Sequence, residues 1–319
     1  MGEAFTLVKR RRWLRRESNP LLVKELRGRM RGARAFVVLT VYLLLLSCFT
    51  SIIYYAYAVN VSGPGSGSEM ANLGKTVFAS VVLIEIFLVT FITPAFTAGA
   101  ISGERERKTY ELLRATLLPA RKLVSGKLAS ALTYMLLLVL AAVPLESLAF
   151  VLGGVVAEEL ALALIILLVT TFAFAALGLC FSAFARTTLV STVLTYATSL
   201  LVTIGLPVLL LILAAALIDP IIYGYGSFEP SWVLEILVMC LVIFFASLSP
   251  VSAAVLTEVF LEQEDALLYF WYDLNNTTAA PITSIPLPSP WIIYTLFCLA
   301  LALLLLLITV LRVRRQARQ

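Results

Sequence analysis

The chain has 319 residues, of which 61% are hydrophobic and 13% charged, with no histidine and a formal net charge of +5. Soluble domains carry ~25% charged and ~45–50% apolar residues, so the apolar surplus is too large for one water-soluble core. The composition excludes an ordinary soluble enzyme and points to an all-α chain embedded in a bilayer. Lack of histidine removes the commonest general base and metal ligand. Cys48, Cys180, Cys240 and Cys298 all fall inside apolar runs without metal-like spacing, and read as small buried hydrophobes. No metal site and no catalytic residue is expected.

The first 35 residues hold eleven of the 24 lysines and arginines. They are no cleavable signal peptide, because the basic region is long and the apolar run that follows is long enough to span. Asn19 and Pro20 make an N-cap and first-turn pair for a helix over 19–35. Its Leu22, Leu26, Met30 and Ala33 share one face, and Lys24, Arg27, Arg31 and Arg34 share another. Such a helix lies at the inner headgroup layer and leads into the first span.

A span needs about 20 mostly apolar residues. Runs of that kind lie at about 36–58, 77–99, 123–146, 160–184, 188–217 and 290–311, giving a transmembrane domain over 36–319 after a tail and interfacial helix over 1–35. Positive charge in short loops stays on the cytoplasmic side. Seven further basic residues lie in 101–127, one at Arg186 and four after Leu311, leaving only Lys75 elsewhere. Both termini are therefore expected inside the cell membrane, with the loop 100–122 on the same side.

Residues 232–257 are also long enough to cross, but a seventh crossing would put the basic tail outside. With no lysine or arginine on either flank and with Pro250 near the middle, the run reads as a helical hairpin dipping in from the outer face. A true seventh span is the alternative.

The loop "ISGERERKTYELLRATLLPARKLVSGK", 101–127, carries seven basic and three acidic residues. It reads as a helix from Gly103 to Pro119, with Glu104 and Lys108 one turn apart and Arg107 and Glu111 likewise. A plain membrane-surface helix would be basic on its polar face. Mixed charge suits a protein partner as well as it suits a solvated loop.

Inside the spans, Thr188, Thr192, Thr195, Ser199 and Thr203 keep to one face of the fifth, and Thr90, Thr93 and Thr97 to one face of the second beside Pro94. Hydroxyl stripes of this kind pack helices or line a substrate path. Glu85 lies deep in the second span, where a carboxylate is costly and a functional candidate by default. No carboxylate pair on facing spans is evident. Neither Gly-Lys pair belongs to a GxxxxGK[ST] phosphate loop, since Arg121 and Glu69 occupy the position of its first glycine. Nothing in the chain points to nucleic acid; its basic residues gather where lipid headgroups would be.

The loop resembles the hallmark of type-2 ABC-transporter permeases. The matching positions are Ile101, Glu104, Arg105, Glu106, Arg107, Thr109, Tyr110, Glu111, Leu112, Leu113, Pro119, Gly126 and Lys127, with Leu118 standing where the family usually has Thr or Ser before the proline. By that resemblance the loop is a coupling helix docking on an ABC-type ATP-binding subunit, through Glu104, Arg105, Glu106, Arg107, Lys108, Thr109 and Glu111. The helix holding Lys24, Glu25, Arg27 and Arg31 resembles the connecting helix of the same permeases. The resemblance implies two ATP-binding subunits that carry ATP and Mg, and a second copy of this chain or a similar permease. It makes the chain a transport subunit without its own ATPase site, and an exporter, with Glu85, Thr90, Thr93, Thr97, Thr192, Thr195 and Ser199 as candidate pathway residues. Two alternatives remain: an ATP-independent carrier or channel using Glu85, and a membrane anchor of a complex without transport.

Overall fold

A computed structural model describes residues 33–60, 67–109, 119–213, 215–216, 232–264, 267–273 and 284–316, together with Glu25 and Gly28. Six helical segments are long and apolar enough to cross a membrane. They are α1 (Ala33–Asn60), α2 (Gly67–Thr97), α4 (Ala120–Leu152), α5 (Ala157–Phe184), the composite α6 (Thr188–Leu200) with α7 (Leu206–Leu213), and α10 (Pro290–Gln316). The protein is an all-α membrane protein.

The core of α1, α2, α4 and α5 packs Leu46, Val81, Ile86, Met135, Leu138 and Leu167, all at or near zero exposure. Small residues bring these helices close. A Cβ added to Gly178 of α5 would lie 2.1 Å from Thr97 Oγ1 on α2, so the two backbones approach as far as a glycine allows. On its other side α5 presents Ala173 and Ala176 to Cys298 and Ala302 of α10. A hydrogen bond of 2.6 Å between Thr170 and Tyr294 ties the same two helices. The outward faces of α1 and α6 are apolar and exposed, with Phe36, Val37 and Leu44 on one and Leu189, Val193 and Leu194 on the other.

Between α6 and α7, Leu201–Gly205 form a π turn. Pro207 follows and lacks the N–H that would continue the ladder, and a π turn is one way a helix absorbs such a break. It places Thr203 against α2.

Outside the six spans, α8 (Trp232–Ala246) and α9 (Pro250–Glu264) have 15 residues each, and neither reaches the length of a span. Pro250 opens α9 after the turn at Ser247–Ser249, so the proline separates two helices. A two-stranded antiparallel hairpin, β1 (Tyr269–Asp273) with β2 (Ser284–Pro288), is a local addition to the helical architecture expected from sequence. Phe270 stacks on Phe260 of α9 at 3.8 Å between centroids, and with Leu287 it meets Ile243 of α8.

The charged loop departs from expectation. Its helix, α3 (Ser102–Glu106), stops after five residues. Lys108 has φ +57°, a left-handed conformation that ends helical register, so Glu104 and Lys108 are not stacked on consecutive turns. Residues 110–118, with Glu111, lie outside the described residues, as do Lys24, Arg27 and Arg31.

Candidate functional site

The short helix α3 is fastened to the junction of α5 and α6. Ser182 Oγ on α5 accepts the backbone N–H groups of Ile101 at 2.8 Å and Ser102 at 2.9 Å. Arg105 donates to the carbonyl of Ala185 at 2.8 Å and of Ala183 at 3.3 Å, where α5 ends and leaves carbonyls without helical partners. Glu106 receives the Thr188 N–H at 2.8 Å and the Thr188 hydroxyl at 2.7 Å. A carboxylate at a helix N-terminus satisfies orphan donors and the positive end of the dipole, so Glu106 caps α6. One residue of α3 thus holds the end of the fourth span and the next holds the start of the fifth.

Glu104 faces the other way. Lys127, in the second turn of α4, has a side chain only 4% exposed, and its Nζ donates to Glu104 Oε1 at 3.3 Å and to Glu25 Oε1 at 3.2 Å. Thr109 donates its hydroxyl to both the backbone carbonyl and the carboxylate of Glu104. One buried ammonium therefore bridges Glu25, α3 and the third span. These groups border a recess of about 620 Å³ that also includes Arg107, Glu106 and Thr188. Arg107 and Lys108 are exposed.

The intramembrane candidates separate into two places. Thr90, Thr93, Thr97, Thr195 and Ser199 are fully buried, and Thr192 partly so, on α2 and α6, with Thr97 turned to Gly178 of α5. Most bond their own helix, as Thr90 does to Ile86 O at 2.8 Å and Thr195 to Ser191 O at 2.7 Å. Cross-links run from Ser191 to Ala98 O at 2.6 Å and between Thr90 and Thr203 at 3.2 Å. Glu85 stands apart, turned toward α1 and α4, where Tyr42 donates to its Oε1 at 2.7 Å. Its neighbour there is Glu146 of α4, so a carboxylate pair on facing spans does exist, contrary to the expectation from sequence. It escapes notice because 61 residues separate two glutamates that only antiparallel packing of α2 and α4 brings level.

Sequence reasoning gave no role to Ser182 or Glu146, counted Lys127 only as a matching position of the loop, and placed Thr188 in the hydroxyl stripe of the fifth span and not at a capped helix start. Lys127 had a visible signal, as a lysine in the second turn of an apolar helix beginning after Pro119, but it also satisfied the positive-inside rule and needed no partner. Ser182 had none, being an ordinary residue at a helix end.

At the opposite end of the bundle, Lys75, the basic residue left over from the topology count, pairs with Glu262 of α9 at 3.0 Å. Nearby, burial and the Glu159 carboxylate push the Glu258 carboxyl up to about 7 from an ordinary 4.5. The folded protein holds this proton to higher pH than the unfolded chain. The contribution to stability is full below about pH 4.5 and is lost as pH rises to about 7. Glu258→Gln is expected to flatten that part of the melting-temperature profile of the lipid-reconstituted protein; an unchanged profile would show that Glu258 does not titrate there.

Residues 20–311 match the model of a family described as ABC-2 family transporter protein. No curated protein matches the sequence significantly.

Proposed function

This chain belongs to the ABC-2 transporter family, and from that premise we propose that it is the permease subunit of an ABC exporter, driven by separate ATP-binding subunits. Two such subunits, binding ATP and Mg, would sit beneath two permeases, this chain and a second copy or a similar one. The termini and α3 would face the cytoplasm across the cell membrane, with α8 and α9 dipping in from outside. Nothing in the chain itself resembles a phosphate-binding loop, so the energy of hydrolysis must enter by contact.

The observation that carries this reading is the arrangement around Lys127. A surface loop obeying only a charge rule needs no internal ties. Here Glu104, Arg105 and Glu106 each hold a different element: Glu104 the N-terminal helix by way of Lys127, Arg105 the end of α5, and Glu106 the start of α6. A push on α3 would reach three spans and the N-terminal helix together. A nucleotide state shifts such an element only by contacting its two arrangements differently, and the exposed Arg107 and Lys108 are the groups placed to make that contact. The hydroxyl seam of α2 and α6 would open into the substrate route when two permeases rock against each other.

Arg107→Glu is expected to leave the chain in the membrane at wild-type level and to abolish co-purification of the ATP-binding subunit. Retention of a stoichiometric complex with unchanged ATP turnover in Arg107→Glu and in Glu104→Lys would refute this docking role.

A further inference from the structure

The coupling apparatus leaves Glu85 and Glu146 unused, although both are fully buried polar groups, at 0% and 1% exposure. Tyr42 of α1, 2% exposed, satisfies Glu85 Oε1. Among the described residues, none donates a hydrogen bond to Glu85 Oε2 or to either oxygen of Glu146. The two carboxyls nonetheless interact with one another, and Tyr42 feels both. The neighbouring helices bring apolar groups to the same core, Ala163 and Leu167 from α5 and Val251 and Ala254 from α9. Among the described residues, those that act on Glu85 are Glu146 and Tyr42, and neither is a cation.

Two carboxylates side by side in a medium of low dielectric cannot both stay ionised, and three acceptor oxygens without a donor are costly to bury. A single proton removes the repulsion and gives two of the three oxygens a partner. Placed on one carboxyl, it is donated as an O–H hydrogen bond to the other, while Tyr42 O–H holds Glu85 in place from the far side. We propose that Tyr42, Glu85 and Glu146 form a proton-binding site inside the bundle, with one proton held between the two glutamates. Binding and release make and break only an O–H bond and change the local charge by one. A groove lies between α1 and the outer halves of α2 and α4. It is walled by Ser47, Thr50, Ser51 and Tyr54 and reaches Leu145, the residue before Glu146. The site therefore exchanges protons from the end of the bundle remote from α3. It depends on membrane embedding but not on the docking of an ATPase, so the two readings fail separately.

The test is infrared spectroscopy of the full chain in lipid nanodiscs, read in the carboxylic-acid carbonyl band at neutral pH. The wild type is expected to show a protonated-carboxyl band that downshifts in deuterated buffer, is lost in Glu85→Gln/Glu146→Gln, and moves to a new frequency in Tyr42→Phe. Those substitutions separate it from any band contributed by Glu258. The double variant keeps side-chain volume and removes like charge; should it fail to accumulate, the Tyr42→Phe shift decides alone. Absence of the band in the wild type, a band untouched by both variants, or its loss on adding sodium chloride at constant pH would overturn the proposal, the last by making the occupant a metal cation.

Discussion

Replacing Gly74 with valine is expected to force the second and third spans apart at their outer ends and to lower the melting temperature of the purified protein markedly. A Cβ at residue 74 would lie 2.1 Å from the carbonyl oxygen of Gly153 and 3.0 Å from that of Ala149. Both are backbone atoms of α4 and its end, so no side chain can swing clear. The contact is reciprocal: a Cβ at Gly154 would lie 2.3 Å from the carbonyl oxygen of Ala71 on α2, and the φ of Gly154 is +88°. Overpacking a core costs about 1–3 kcal/mol, and unyielding backbone puts Gly74→Val at the top of that range. Gly154→Ala adds backbone strain of about 1–3 kcal/mol on the same interface. Gly28, with nothing within 4 Å of its added Cβ, is the control, and Gly28→Ala should melt like the wild type. Thermal aggregation assays on the three variants check the order. If Gly74→Val melts with the wild type, the two spans cross elsewhere.

Such close approaches mark what a sequence conceals. The six spans announce themselves, because each needs only length and apolarity and no neighbour. The resemblance in the charged loop was also legible, since it rests on residues consecutive in the chain. What those residues hold was not. The resemblance gives Glu106 to a docking partner, yet it caps a helix 82 residues away, and the spacing sets Glu104 against Lys108 although its carboxylate holds the Lys127 ammonium. The i, i+4 rule assumes a helix that continues, and here the left-handed Lys108 ends it. In the hydroxyl stripes periodicity located the face correctly, but a face of threonines bonds its own backbone whether it lines a seam or a route. Glu85 drew attention because isolation in an apolar run is a local signal. Glu146 drew none because it lies near the outer end of its helix, where acids are common.

Lys127→Met is expected to leave the protein folded and bound to its ATP-binding subunit while uncoupling the N-terminal helix from α3. The balance of charge and water decides this. Lys127 is 4% exposed, whereas the Glu25 and Glu104 side chains are 21% and 25% exposed. Removing the lysine leaves two carboxylates that still reach solvent, and methionine fills the vacated volume, so the cost is roughly 1–2 kcal/mol. Glu25→Gln/Glu104→Gln does the reverse and strands a buried ammonium, for which about 3–5 kcal/mol is the usual loss. The double variant should therefore melt lower than Lys127→Met although it keeps the bridging residue. Spin labels at Gly28 and at Gly103 of α3, where an added Cβ meets only the Thr188 hydroxyl at 3.8 Å, read the mechanical consequence. With the clamp intact, their separation should hold steady as the complex passes between nucleotide-free and ATP-bound states, because both helices move as one body. In Lys127→Met the separation should change between the two states, and the ATP turnover of the complex should approach that of the free ATP-binding subunit. Coupling free energies of about 1–3 kcal/mol make such a difference large enough to measure. A constant separation in Lys127→Met, with turnover as in the wild type, would mean that the two helices are tied by something other than this ammonium, and that the push from below travels through Arg105 and Glu106 alone.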